Sequence, residues 1–251
     1  MRSPVLIEVC VETVASAIAA ERGGAHRIEL CSNLAVEGVT PNPTLLEQVR
    51  RQVAIPLHVL IRPRAGGFQY TAIEFEAIRN AIRQAKHLGA DGLVFGVLDS
   101  SSRVDVARTR EIVELSRPLT VTFHRAFDAC SDLPAALDEV VRTGADRVLT
   151  SGGARTADEG AAMLAQLVKS AAGRIEIMAC GRIREENIRR IVDATGVREV
   201  HTSLRTRLPN QKSLDVAAQD TNPQDSVLRP EAVARLLEAA AKGLSNMARD
   251  G

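Results

Sequence analysis

The chain has 251 residues and a formal charge of +1, with one Tyr, five Phe and no Trp. Near-neutrality gives no reason to expect nucleic acid or an anionic membrane as partner, and no apolar run approaches the ~20 residues of a membrane span. The N-terminus runs straight into a strand-like segment without a signal-peptide pattern, and four cysteines are too few for a disulfide scaffold. A cytoplasmic protein with reduced thiols is expected. The core must be built from Val, Ile, Leu and Ala, which suits parallel strands covered by helices.

The first strand-like run is Val5–Cys10, followed by a helical pattern over Val14–Arg22 behind Thr13, a capping residue. Then comes GGAHRIEL from Gly23, a phrase that returns as LGADGLVF from Leu88, TGADRVLT from Thr143 and TGVREVHT from Thr195. Each joins a helix end to a short apolar run, with the glycines Gly24, Gly89, Gly144 and Gly196 placed to cap in the left-handed conformation. Between these phrases lie Leu57–Arg62, Leu119–His124 and Ile175–Cys180, so eight strands alternate with helices. The other helices are expected at Thr44–Gln52, Ala72–His87, Val104–Leu115, Leu133–Arg142, Ala157–Ala171, Arg184–Ala194 and Pro230–Lys242, with Asp132 and Thr156 as further caps. Eight βα units in ~250 residues predict an α/β fold, a single (β/α)8 TIM barrel over residues 1–251, rather than an open doubly wound sheet. The polar stretch Thr206–Leu228 reads as a long loop after strand eight.

Alternation along the strands sorts side chains between lumen and helices. One parity collects Glu8 and Cys10; Arg27, Glu29 and Cys31; His58, Leu60 and Arg62; Thr120, Thr122 and His124; Glu176, Met178 and Cys180; Glu199, His201 and Ser203. The apolar set must face the helices, so this polar set must fill the lumen. Buried charges need partners, which predicts a network joining Glu8, Glu29, Arg62, Glu176 and His201.

Activity in such barrels sits at the C-terminal ends of the strands. Two chemistries are expected there. Cys10 and Cys31 close adjacent strands with the same parity, and two reduced thiols near a His suit a soft ion such as Cu(I); free cysteines filling the barrel rim are the plainer reading. Alternatively, Arg62, Arg64, Arg182 and Arg205, with the backbone of Gly152, Gly153 and Gly181, form an anion site for a small anionic metabolite, phosphorylated or not. His124 with Glu8 or Glu29 would then serve as catalytic acid and base.

The runs IEVCVETVASAIAAERGGAHRIELCSNLAVEGVTPN, HVLIRPRAGGFQY, FHRAFD, LTSGGA and HTS resemble the CutC copper-homeostasis family, in order from about residue 5 to 205. The resemblance implies one TIM barrel, a cytoplasmic location, a role in copper tolerance with Cu(I) binding, and self-association into a homo-oligomer such as a dimer. Carried over onto this chain, it implies that Cys10 and Cys31, the cysteines of the EVC and ELC motifs, are the copper ligands.

Overall fold

A computed structural model of the chain describes residues 4–204, 206–207 and 226–241. Eight parallel strands close into a barrel in strict sequence order, the first hydrogen-bonded to the eighth. They are β1 (Leu6–Val11), β2 (Arg27–Leu30), β3 (Leu57–Leu60), β4 (Gly92–Phe95), β5 (Thr120–Phe123), β6 (Arg147–Thr150), β7 (Glu176–Ala179) and β8 (Glu199–Thr202). The helices that follow them are α1 (Val14–Arg22), α2 (Pro43–Gln52), α3 (Ala72–His87), α4 (Val106–Ser116), α5 (Leu133–Thr143), α6 (Ala161–Ala171), α7 (Ile188–Thr195) and α8 (Pro230–Ala241). The predicted (β/α)8 TIM barrel is the observed fold.

The glycine phrases do the work assigned to them. Gly24, Gly89, Gly144 and Gly196 all have φ between 76° and 88°, where a side chain would be strained. Each ends a helix and turns the chain into the next strand. Thr13 caps α1 by accepting the Ser16 N–H, and Asp132 caps α5 by accepting that of Ala135. Thr156 does not cap α6. That helix begins four residues later than predicted, because the loop after β6 first folds back on itself. Gly152 and Gly160 meet so closely there that a Cβ on Gly160 would stand 1.8 Å from the Ser151 carbonyl oxygen. The start of α7 is likewise delayed, from Arg184 to Ile188, by a turn in which Asn187 Oδ1 accepts the Arg184 N–H.

Outward strand residues such as Ile7, Ile28, Leu57, Leu93 and Val121 are fully buried against the helices, each stabilising the fold by roughly 1.5–3 kcal/mol. The stretch predicted as one long loop is more ordered at its base. Thr206–Arg207 (β9) pairs antiparallel with Ser226–Val227 (β10), and the residues between them lie outside the described residues.

Candidate functional site

The strand register sorts the lumen into layers drawn from alternate strands, as the geometry of an eight-stranded barrel requires. At the bottom lie Arg27, Gly92, Arg147 and Glu199; above them Glu8, His58, Thr122 and Met178; then Glu29, Val94, Leu149 and His201. Cys10, Leu60, His124 and Cys180 close the upper layer. The lower layers are knitted by charge. Arg27 Nε donates to Glu8 Oε2 at 2.5 Å and its Nη2 donates to Glu199 at 2.6 Å. Arg147 Nε donates to Glu199 at 2.5 Å, and Arg147 Nη1 donates to Thr122 Oγ1 at 3.2 Å. His201 Nδ1 lies 2.7 Å from Glu8 Oε1, and His58 Nε2 lies 3.2 Å from Thr120 Oγ1.

Glu8 and His201 therefore belong to the predicted network, as does Glu29, whose Oε2 lies 3.6 Å from His201 Nε2, but Arg62 and Glu176 do not. Arg62 turns away to the carbonyls of Val36 and Gly38 in the loop after β2 and of Gly66 in its own loop after β3. Glu176 sits at the open lower end of β7, only partly buried. Arg27, Arg147, Glu199 and His58 take their places. Sequence alternation had already put Arg27, Glu199 and His58 on the inner face. Arg147 was missed because β6 was read only as part of a repeated phrase. The signal for His58 was a missing side chain on β4: a Cβ on Gly92 would stand 2.4 Å from His58 Nε2.

Above this floor a cavity of about 260 Å³ opens at the C-terminal mouth. Cys10 and Cys31 form part of its wall, both buried, with their sulfurs 3.5 Å apart. They meet because Cys10 is in register with Glu29, which places Cys31 one inward position higher on the neighbouring strand. Ligand atoms of Cys10, Glu29 and His201 all lie within 4.8 Å of one another. The hydrogen bond to Cys31, together with burial, pushes the Cys10 thiol well above its ordinary value. Burial raises the Glu29 carboxyl, the nearby His201 cation only partly offsetting it. Burial works against charge on His201, yet Glu29 and Glu8 outweigh it and hold the imidazole well above its usual range. For Glu8, burial is overcome by Arg27 and the two histidines, so its carboxyl is held far below the usual range.

The predicted anion-binding residues divide. Arg62, Gly181 and Arg182 line the cavity, as do Arg125 and Arg184, which the sequence reading did not assign to an anion site. Arg64 does not; it pairs with Glu74 at 2.5 Å, stacks on Tyr70 and holds its own loop through the Gly67 and Gln69 carbonyls. Gly152 and Gly153 cannot offer the expected cradle, because their donors are already engaged. The Ser151 and Gly153 N–H groups donate to Asp128, and the Gly152 N–H donates to Thr150 Oγ1. Asp128 is thus the protein's own anion in that nest. Arg205 lies outside the described residues.

His124 also reaches the cavity. Burial and the Arg62 charge lower its pKa to about 3, so the ring is neutral.

A family model described as the CutC family matches residues 5–206, a span that contains all eight barrel strands and both thiols. The chain belongs to the CutC family. It is 48% identical over 201 residues to the copper homeostasis protein cutC homolog of Mus musculus, covering 80% of this chain and 74% of the relative. The corresponding protein of Homo sapiens is 47% identical over the same length. Among solved structures, the CutC protein of Streptococcus agalactiae superposes with a TM-score of 0.75 at 32% identity, covering 78% of this chain and 97% of that one. A phosphoribosylanthranilate isomerase from Thermotoga maritima shares the barrel at 12% identity, with a TM-score of 0.58 over 95% of this chain and 99% of that one. That likeness concerns the fold alone. The CutC match ends before β10 and α8, so the thiol pair lies within the part of the chain that defines the family.

Proposed function

We propose that this CutC family member handles copper in the cytoplasm by binding one Cu(I) ion, as cargo, at the mouth of its barrel. The observation that carries the reading is the pair of buried, unbridged thiols 3.5 Å apart with an imidazole beside them. Thiolates select a soft monovalent ion over the hard cations that carboxylates favour, and the donor set therefore fits Cu(I). Cys10 and Cys31 are the ligands. His201 stands within reach as a third donor once it gives up its proton, and Glu29, whose carboxyl burial raises, is the nearest group to receive it. A reducing compartment keeps such thiols available.

Since the Cys10 thiol is held protonated, loading must expel that proton. Apparent affinity should therefore rise about tenfold or more per pH unit through the neutral range. The experiment is an anaerobic Cu(I) titration of the reduced protein against a competing chelator, beside the Cys10→Ser, Cys31→Ser double variant. One ion per chain is expected, with affinity lower by roughly 100-fold or more in the variant, which leaves only harder donors. Unchanged affinity in the double variant would refute the assignment.

A further inference from the structure

The thiol pair occupies the wall contributed by β1 and β2. The wall contributed by β3 and β5 carries a different chemistry. His124 is 5% exposed, and its Nδ1 accepts the Ala126 N–H at 3.1 Å. That nitrogen carries no hydrogen, so the proton of the neutral ring sits on Nε2. Nε2 is buried and has no hydrogen-bond partner among the described residues. The ring is fixed in place: Phe68 packs against it at 5.0 Å between centroids, and Gly96 leaves the space behind it, since a Cβ there would stand 2.5 Å from Nδ1.

Arg62 presents the same situation with a charge. It is 4% exposed and lies over the other side of the Phe68 contact, 5.2 Å from that ring. Its terminal nitrogens donate to three carbonyls, and it pairs with no carboxylate among the described residues. Its Nε–H is buried and makes no geometric hydrogen bond among the described residues; the Tyr70 hydroxyl, likewise buried and unsatisfied, lies close to the Arg62 side chain. Leaving a buried donor unsatisfied is costly, and native proteins rarely do so without reason.

We propose that the mouth cavity is a binding site for a small oxyanion, a carboxylate or phosphate group, held by hydrogen bonds from His124 Nε2–H and Arg62 Nε–H. Both residues line the cavity, and neither donor nitrogen has a lone pair to give a metal as it stands, so this wall does not serve the thiol site. Around the cavity Arg62, Arg182 and Arg184, together with Arg125, which pairs with Asp128 at 2.9 Å, face two carboxylates, Glu29 and Glu37. The local field therefore favours an anion. Arg182 adopts a left-handed conformation at φ 54°, a strain that clusters where a loop is shaped for a ligand. The volume, about 260 Å³, falls just below the ~300–1,000 Å³ of drug-sized pockets. The ligand is of metabolite size.

The test uses the full, reduced, copper-free chain with two probes, inorganic phosphate and malonate. Calorimetry measures binding, and the side-chain nitrogens of ¹⁵N-histidine-labelled protein are followed by long-range ¹H–¹⁵N NMR. Saturable one-to-one binding of at least one probe is expected, with the His124 Nε2 resonance shifting along the same isotherm. His124→Phe, which removes the donor and keeps a ring, should weaken binding by roughly 10- to 100-fold, the share of one hydrogen bond to a charged group. The probe that binds tells carboxylate from phosphate. Cys10→Ser, Cys31→Ser should bind the anion as the wild type does while losing copper, which keeps this proposal separate from the copper reading. Absence of binding by either probe at tens of millimolar would overturn it. So would binding that leaves the His124 resonance unmoved, or that disappears with the thiols. If the His124 variant fails to fold, the wild-type resonance decides alone.

Discussion

Glu8 is the hub of the lumen, and replacing it by Gln tests whether charge or mere volume holds the barrel together. Its side chain is fully buried, accepts from Arg27 Nε at 2.5 Å and faces His201 Nδ1 at 2.7 Å. Gln keeps the shape but removes the charge. It also turns one acceptor into a donor, so that an N–H of Gln must face an N–H of Arg27 or His201. Breaking a buried ion pair by neutralising one partner costs about 3–5 kcal/mol. For a chain of this length each kcal/mol moves the melting temperature by ~2–4 °C, so a fall of roughly 6–20 °C is expected in a thermal melt. The Arg27→Gln change made together with Glu8→Gln removes both charges. The double variant should then be less destabilised than the sum of the singles by at least ~1 kcal/mol. A Glu8→Gln protein melting within about 2 °C of wild type, or strict additivity in the cycle, would refute the claim that paired charge organises this lumen.

Two further outcomes follow from the same packing. Gly96→Ala should destabilise by about 1–3 kcal/mol, the range for overpacking, because its Cβ would stand 2.5 Å from His124 Nδ1; Gly67→Ala, whose Cβ meets nothing within 4 Å, is the control. Equal denaturation midpoints for the two would refute the crowding. Burial, only partly offset by the Glu8 charge, depresses His58 from 6.5 to about 4. The unfolded chain therefore takes up a proton between these values that the folded chain does not, and stability falls with falling pH in that window, by about 1.4 kcal/mol per unit. Glu29, with a raised pKa, acts in the opposite sense, so the readout is the difference between wild type and His58→Gln. Denaturant titrations at pH 6.5, 5.5 and 4.5 should show the shallower acid loss in the variant; parallel curves would refute the assignment.

Much of this was legible in the chain because two periodicities are strong. The phrases around Gly24, Gly89, Gly144 and Gly196 mark every second strand, and alternation along Glu8–Cys10 and Arg27–Cys31 puts charge and thiols on one face. Alternation fixes a direction and not a partner, however. Arg62 has the inward parity of its strand but is long enough to reach the Val36 and Gly38 carbonyls of a neighbouring loop, and no local pattern announces that. The glycines after β6 look like an anion nest in sequence; the residue that fills the nest, Asp128, comes from 23 residues upstream of Ser151. The delayed start of α6 has the same origin, since Gly160 belongs to that folded-back loop. His124 was correctly found at the strand end, but its protonation depends on burial and on the Ala126 N–H, which only the folded backbone supplies.

The contact between Glu8 and His201 spans 193 residues of chain, and it crosses the joint where β1 meets β8. The thiols come from the first two strands and are made early in synthesis, whereas the imidazole beside them comes from the last. A nascent or truncated chain that ends before β8 carries both sulfurs but lacks His201, the partner of Glu8 and the wall that encloses the cavity. The pocket is therefore a property of the closed ring and of no fragment of it.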